Sequence, residues 1–496
     1  MQSKNRNTLS WLALGLAFLM LFIAMGRALL NYAILAEAAL TFSYPLDYGE
    51  GPLLDQTMRI LVGENIYDPD FNTPPYTISN YPPLFLLVQV PFAAVFGPAI
   101  WYGRLISLLG ALATAVLIGL TLHTLTGSKV GAMVGGLLFV SVPFVQFWST
   151  LNRIDLLALA LSWGALFVTV RFSELRWGIY AAAGLLVAAI FTRQSYALAA
   201  PMAAFVWLLF QKQYRKALLL AAWTGGVSLG LFLLMTLITR GGFFLNIVTA
   251  NVNPFLWETV RHNAEQLYQN AYLLVWITGA FLLIGWVGNP RGVWSLVLPY
   301  VIGATASAVT IGKDGSNVNY LLELGAALCL AGGAAVSVLG TSPVWAQKRH
   351  FYQAALVLLL AFQVWLLVDW AQYDFNNRLL SRVEKRAEVD ELFRAVQQTD
   401  GIILADEYMG LLPLAGKRIY FQPFEYKMLK DGRIWDDSGF MAELREKRFA
   451  LILWYQPPTW DAIGSRWTPG AANTIRRNYS GASSGIYDYT RILRPR

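Results

Sequence analysis

Cysteine, histidine and charge are all scarce in this 496-residue chain, and each scarcity removes a class of protein. Cys329 is the single cysteine and sits in an apolar run, so no intramolecular disulfide, zinc knuckle or dithiol redox pair can form. His123, His262 and His350 are scattered, without partners at ligand spacing, which argues against a histidine metal centre. Charged residues make up 14% of the chain, where soluble domains carry about a quarter. With 56% hydrophobic residues, such a chain belongs in lipid. Internal repeats and low-complexity tracts are missing too.

Long apolar runs are abundant. A spanning helix needs about twenty predominantly apolar residues. Eleven runs approach this: 9–31, 99–122, 129–146, 154–171, 177–192, 196–211, 217–239, 271–288, 293–311, 319–339 and 351–370. The expected fold class is a polytopic α-helical membrane protein of about eleven transmembrane helices, with 177–192 and 196–211 the shortest. The N-terminus is basic and then apolar, without a clear small-residue cleavage site, and is expected to be an uncleaved signal anchor.

The net charge of +8 reads as topology rather than nucleic-acid binding. Basic residues fall on alternate connections: Lys4 and Arg6; Lys129; Arg171 and Arg176; Lys212, Arg215 and Lys216; Arg291; Lys348 and Arg349. The positive-inside rule places these connections and the N-terminus in the cytoplasm of a plasma or inner membrane. The first long loop and the C-terminus then face outward.

Composition changes near residue 371. The last 126 residues hold 19 of the 38 Lys and Arg and 16 of the 30 Asp and Glu, so a quarter of the chain carries half its charge. The expected division is a membrane domain, 1–370, and a small extracytoplasmic α/β domain, 371–496. Ser381-Arg382-Val383-Glu384 has the form of a capping box opening a helix to Gln398. Residues 401–405 and 449–454 read as buried strands, 418–421 as a candidate third, and 437–447 as a helix. After Pro457 the Gly-, Ser- and Asn-rich tail reads as loop or edge strand.

The outer loop, 43–98, is strongly acidic between residues 44 and 83: Asp47, Glu50, Asp55, Glu64, Asp68 and Asp70 face one basic residue, Arg59. From Pro52, the residues Leu53, Leu54, Thr57, Met58, Ile60 and Leu61 fall on one helical face, with Asp55, Gln56 and Arg59 opposite. That pattern predicts an amphipathic helix lying in the interface plane, Asp55 on its surface. Pro82-Pro83 opens a second apolar helix, 84–96, too short to span. A later outward loop, 240–270, mixes amides and aromatics (Asn246, Asn251, Asn253, Trp257, His262, Tyr268). This suits sugar rings and an interfacial aromatic belt equally.

Asp47 and Glu50 are the candidate catalytic carboxylates. A carboxylate at the bilayer rim can take a proton from a hydroxyl. Most acids in such a loop merely keep it solvated; Asp47, next to the membrane exit, is favoured. Arg153 and Asp155, in Asn152-Arg153-Ile154-Asp155, lie at an outer helix mouth, where ionisable groups are costly and often functional. Asp155 is a second acidic position and candidate metal ligand. Arg193 and Lys313 share this outward placement against the inside bias. With Arg153 they form a candidate lipid-phosphate cluster, the bland alternative being snorkelling to the interface. Tyr81, Asn319, Tyr320 and Glu323 are candidate substrate contacts, Glu323 lying a turn inside a span. Asp406-Glu407 reads as a turn.

Several of these features resemble the GT-C superfamily of membrane glycosyltransferases, especially bacterial relatives of protein O-mannosyltransferases and aminoarabinose transferases. The likeness covers roughly 9–330. It rests on Asp47-Tyr48-Gly49-Glu50, the amphipathic helix, Tyr81-Pro82-Pro83-Leu84, Trp101 with Arg104-Leu105, and Asn152-Arg153-Ile154-Asp155. In that superfamily a first-loop carboxylate is catalytic, which maps to Asp47 with Glu50 beside it; the second-loop acid maps to Asp155. The paired acids of the mannosyltransferases are spread here to Asp-Tyr-Gly-Glu, and Tyr81 stands where aminoarabinose transferases often carry a basic residue.

The resemblance implies an inverting transfer of a sugar from a polyprenyl-phosphate donor to a hydroxyl on a glycan, lipid or protein acceptor. No cofactor is certain; a divalent metal remains open. The alternatives are a transporter or flippase for a lipid-linked or small polar substrate, expected to show broken spans in two matching halves, and a membrane scaffold whose tail binds a partner.

Overall fold

A computed structural model describes residues 2–251, 253–288, 292–341, 348–481 and 486–496. Among these, eight helices are long and apolar enough to cross a membrane. Lys129–Val140 and Pro143–Ser149 make a ninth candidate, bent by 63°. The bend falls where Pro143 supplies no backbone N–H to continue the ladder. Gly178–Thr192 and Gln194–Phe210 are helical but shorter. Every apolar run therefore folds as helix, and the chain has the architecture of a multi-pass membrane protein. Arg291, counted among the inward basic residues, lies outside the described residues.

Small residues set the centre. Leu322–Thr341 is rich in Gly and Ala and is the most enclosed span. A Cβ on Gly333 would strike Gly131 and Gly135 of the neighbouring helix, so the two backbones meet directly. Tyr214–Ile238, by contrast, is largely bare on its outer faces, as a lipid-facing helix is.

Much of the expected loop 240–270 is helical. Helix Trp257–Gly288 begins fourteen residues before the apolar run at 271 and breaks at Ala271 (φ −130°, ψ 22°). The break is satisfied by Gln363. Its amide oxygen accepts from Leu273 N (2.9 Å) and its nitrogen donates to the Asn270 carbonyl (2.7 Å). A side chain inserted into the helical ladder is a recognised cause of kinking.

In the C-terminal region, β1 (Ile402–Ala405) runs parallel to β2 (Phe449–Tyr455). Next to β2 lies antiparallel β5 (Thr490–Pro495), which pairs with β3 (Tyr479–Ser480) and β4 (Ile486–Tyr487). The first two strands and the helix Ser438–Arg445 match expectation. The tail does not: after Pro457 it forms helix Pro469–Asn478 and contributes β5 to the interior of the sheet. Its strand signal is hidden by Arg491, Arg494 and Arg496, tolerable where one side of the strand is solvated. Ser381 caps nothing. It lies inside helix Asn377–Glu384, its hydroxyl bonded to the Arg378 carbonyl (3.0 Å), and the chain breaks instead at Lys385.

The first loop is clamped between the spanning helices and this region. Tyr76 exchanges backbone hydrogen bonds with Tyr420 (2.7 Å) and Gln422 (3.0 Å), so 418–421 bridges to the loop rather than joining the sheet. Helix Glu50–Leu61 forms as expected, but its polar face is not in water. Asp55 is buried and accepts from Ile419 N (3.1 Å), while Gln56 donates to the Ile78 carbonyl (3.1 Å). Helix Leu84–Phe96 forms with Pro91 inside it.

Candidate active site

The residues following the first span are fixed by a buried ion pair. Arg104 and Glu50 are both fully buried, and Glu50 accepts from Arg104 Nε and Nη2, each at 2.8 Å. Glu50 also accepts from Leu46 N (2.6 Å) and Asn152 N (2.7 Å). Arg104 donates its remaining protons to the carbonyls of Ala39, Phe42 and Tyr44. Burial alone would lift the Glu50 pKa, but Arg104 and the two backbone N–H groups hold it below its usual value. Glu50 thus ties the first helix, the first loop and the 150–154 turn together.

Three residues earlier, Asp47 faces a cavity of about 430 Å³. Its Oδ1 accepts from Gly49 N (2.9 Å) and is ion-paired with Arg153. Gly49 permits that pairing, since a Cβ there would fall on the Arg153 guanidinium. Arg153 also lies over the Trp148 ring, 5.1 Å from its centroid. Burial lowers its affinity for protons, but Asp47 more than restores it.

Lys313, Tyr320, Tyr81 and Asn80 form another wall. Lys313 donates to Asn251 Oδ1 (3.3 Å), and burial lowers its pKa, the nearby Arg193 charge adding to the effect. Burial raises the pKa of Tyr81. The C-terminal region supplies the ceiling. The Tyr48 hydroxyl donates to Glu425 Oε2 (2.9 Å), and Arg466 covers the Tyr48 ring at 4.4 Å. Burial raises Tyr48 and Glu425 alike. Arg466 is tied to Asp406 (2.6 Å) and Glu407 (2.8 Å). Burial would raise Glu407, yet Arg382 and Arg466 hold it at about 2.

Of the candidates from sequence, Asp47, Tyr81, Arg153, Lys313 and Tyr320 line this cavity. Glu50, Asp155, Arg193, Asn319 and Glu323 do not; all five are buried behind it. Asp155 accepts from Trp148 (2.6 Å) and Asn319 (3.0 Å) and is ion-paired with Arg193, which stacks on Tyr320 at 4.4 Å. Asp155 therefore braces the wall residue Tyr320 through Arg193. Asn251 and Asn253 also reach the cavity, whereas Asn246 is a strut, bonded to Ser79 N (2.9 Å) and the Asp68 carbonyl (2.8 Å). His262 lines a separate cavity of about 380 Å³, with Trp370 and Asp374.

Asp406-Glu407 is indeed a turn after β1, but a buried and ion-paired one, and Glu407 reaches the cavity. Glu425, Trp460 and Arg466 carry no local sequence signal; only the docking of the C-terminal region brings them here. Among the described residues no group of three or more His, Cys, Asp or Glu is arranged to hold a metal ion. Asp47 and Asp155 each hold a guanidinium instead.

Spanning helices with an acidic first loop, and a C-terminal region roofing a charged cavity, make up a fold that this chain shares with solved structures. The structure of ArnT from Cupriavidus metallidurans bound to undecaprenyl phosphate superposes with a TM-score of 0.64 at 13% identity, covering 95% of this chain and 97% of that one. Its apo form gives 0.62 at 12% identity, with 95% and 98% covered. The apo oligosaccharyltransferase of Archaeoglobus fulgidus gives 0.53 at 12% identity, over 86% of this chain and 69% of that one. Residues 80–239 match the profile of the family described as dolichyl-phosphate-mannose-protein mannosyltransferase. No curated protein matches the sequence.

Proposed function

We propose that this protein is an inverting glycosyltransferase that moves a sugar from a polyprenyl-phosphate donor to an acceptor hydroxyl on the outer face of the membrane. The observation that carries the reading is the contact of Asp47 with Arg153 at one cavity: a carboxylate base and a phosphate-binding cation share one site. The family profile and the ArnT complex with undecaprenyl phosphate support a lipid-linked donor.

In this mechanism Asp47 takes the acceptor proton as the acceptor oxygen attacks the anomeric carbon. The bond from that carbon to the phosphate oxygen breaks, and its electron pair leaves with the polyprenyl phosphate. One displacement inverts the anomeric centre. Arg153 and Lys313 hold the charge growing on the phosphate. A donor phosphate competes with Asp47 for Arg153 and so frees the base as it binds. Tyr81 and Tyr320 frame the sugar. Arg193 acts from behind Tyr320, and Glu50 and Asp155 are positioning residues. The outward placement of the cavity and of residues 371–496 is part of the same proposal and follows from the alternating basic connections.

Asp47→Asn keeps the size and the Gly49 acceptor and removes the base. Transfer of labelled sugar in proteoliposomes is expected to fall about a hundredfold or more, with folding unchanged. Full activity in that variant moves the base elsewhere.

A further inference from the structure

The ceiling of the cavity holds a constellation that the phosphate chemistry does not use. The Arg466 guanidinium is bound edge-on by Asp406 and Glu407 and covered by aromatic faces: Tyr48 at 4.4 Å and Trp460 at 5.0 Å. Two buried carboxylates already neutralise it, so it is a poor anchor for a second phosphate. Beside it, the Glu425 carboxylate faces the cavity, with the Tyr48 hydroxyl on one oxygen. Trp460, at the rim, is 42% exposed, although a large aromatic normally gains by burial.

A partly exposed indole, a carboxylate that accepts a hydroxyl hydrogen bond and a fixed guanidinium suit a sugar ring. Its C–H faces pack on indole and its hydroxyls reach charged partners. An extended peptide is held chiefly through backbone pairing along a strand edge, whereas this end of the cavity offers side chains. The chain step from Asp47 to Tyr48 joins the two halves: Asp47 pairs with Arg153 from the spanning helices, and Tyr48 bonds Glu425 of the C-terminal region.

We propose that Trp460, Glu425 and Arg466 form an acceptor subsite for a saccharide, free or carried on a larger molecule, next to Asp47. This rests on the transfer reading above, because it takes the other half of the cavity as the donor site. The test uses the full chain in nanodiscs, probed with an immobilised panel of oligosaccharides and with serine- and threonine-containing peptides. Binding of undecaprenyl phosphate is measured separately. Trp460→Ala and Glu425→Gln are each expected to weaken saccharide retention about tenfold or more, with undecaprenyl phosphate affinity within about twofold of wild type. Unchanged retention in both variants, no saccharide retained by the wild type, or peptides retained in its place would overturn the subsite. Saccharide retained as expected, with no binding of undecaprenyl phosphate, would overturn the transfer reading and with it the acceptor role, leaving a saccharide-binding site.

Discussion

At the scale of single residues, the two carboxylates that look alike in sequence have opposite surroundings. Glu50 is sealed against Arg104 and two backbone N–H groups, and every oxygen lone pair it can use is engaged within the protein. Asp47 faces the cavity with one guanidinium partner. Removing half of a buried ion pair leaves the other charge stranded, at a cost of about 3–5 kcal/mol. Glu50→Gln is therefore expected to lower the melting temperature and the folded yield, whereas Asp47→Asn is expected to cost less, because its pair opens onto the cavity, where water can reach the Arg153 left behind. Thermal unfolding of the two variants in one detergent separates the roles. Equal melting temperatures would remove the structural assignment of Glu50. The Asp-Tyr-Gly-Glu spacing then has a reason: Asp47 for the cavity, Tyr48 for the ceiling, Gly49 to admit Arg153, Glu50 to anchor Arg104.

At the scale of elements, helix Glu50–Leu61 is amphipathic by pattern, yet the C-terminal region buries its polar face. The periodicity was legible and the partner was not, because Ile419 lies hundreds of residues away. Buried carboxylates at this docking contact and within the C-terminal region make stability depend on pH with two opposite signs. Burial raises Asp55 from its ordinary 3.8 to about 6. The folded state thus binds that proton more tightly, and stability falls as pH rises from about 4 to about 6. Asp55→Asn is expected to flatten that loss. Glu407 is held at about 2, below its ordinary 4.5, so its contribution is present above about pH 4.5 and is lost as pH falls toward 2. That contribution is about 3 kcal/mol, and Glu407→Gln is expected to remove the acid-side slope. Melting curves from pH 3 to 7 check both; a variant that tracks wild type through its own window contradicts the burial of Asp55 against Ile419 or the ion pairing of Glu407, respectively.

At the scale of the whole molecule, the cavity exists only where three parts meet: the spanning helices, the first loop and residues 371–496. If that cavity receives the lipid phosphate, ligand stabilises the assembled form alone. Undecaprenyl phosphate at about a hundred times its dissociation constant is expected to add about 2.7 kcal/mol to the unfolding free energy. Arg153→Gln is expected to lose most of that gain. A melting temperature indifferent to the lipid would remove the donor assignment. The sequence by itself determined the membrane class, the positions of the apolar helices, the acidic first loop and the candidacy of Asp47 and Arg153. Each of these is written locally, in runs of apolar residues, in charges against the inside bias and in turn chemistry. Only the tertiary structure decided that Glu50, Asp155 and Arg193 stand behind the wall, and that Glu425, Trp460 and Arg466 complete the cavity. Burial and charge pairing depend on which distant segment covers a residue, and no local spacing in the chain encodes that cover.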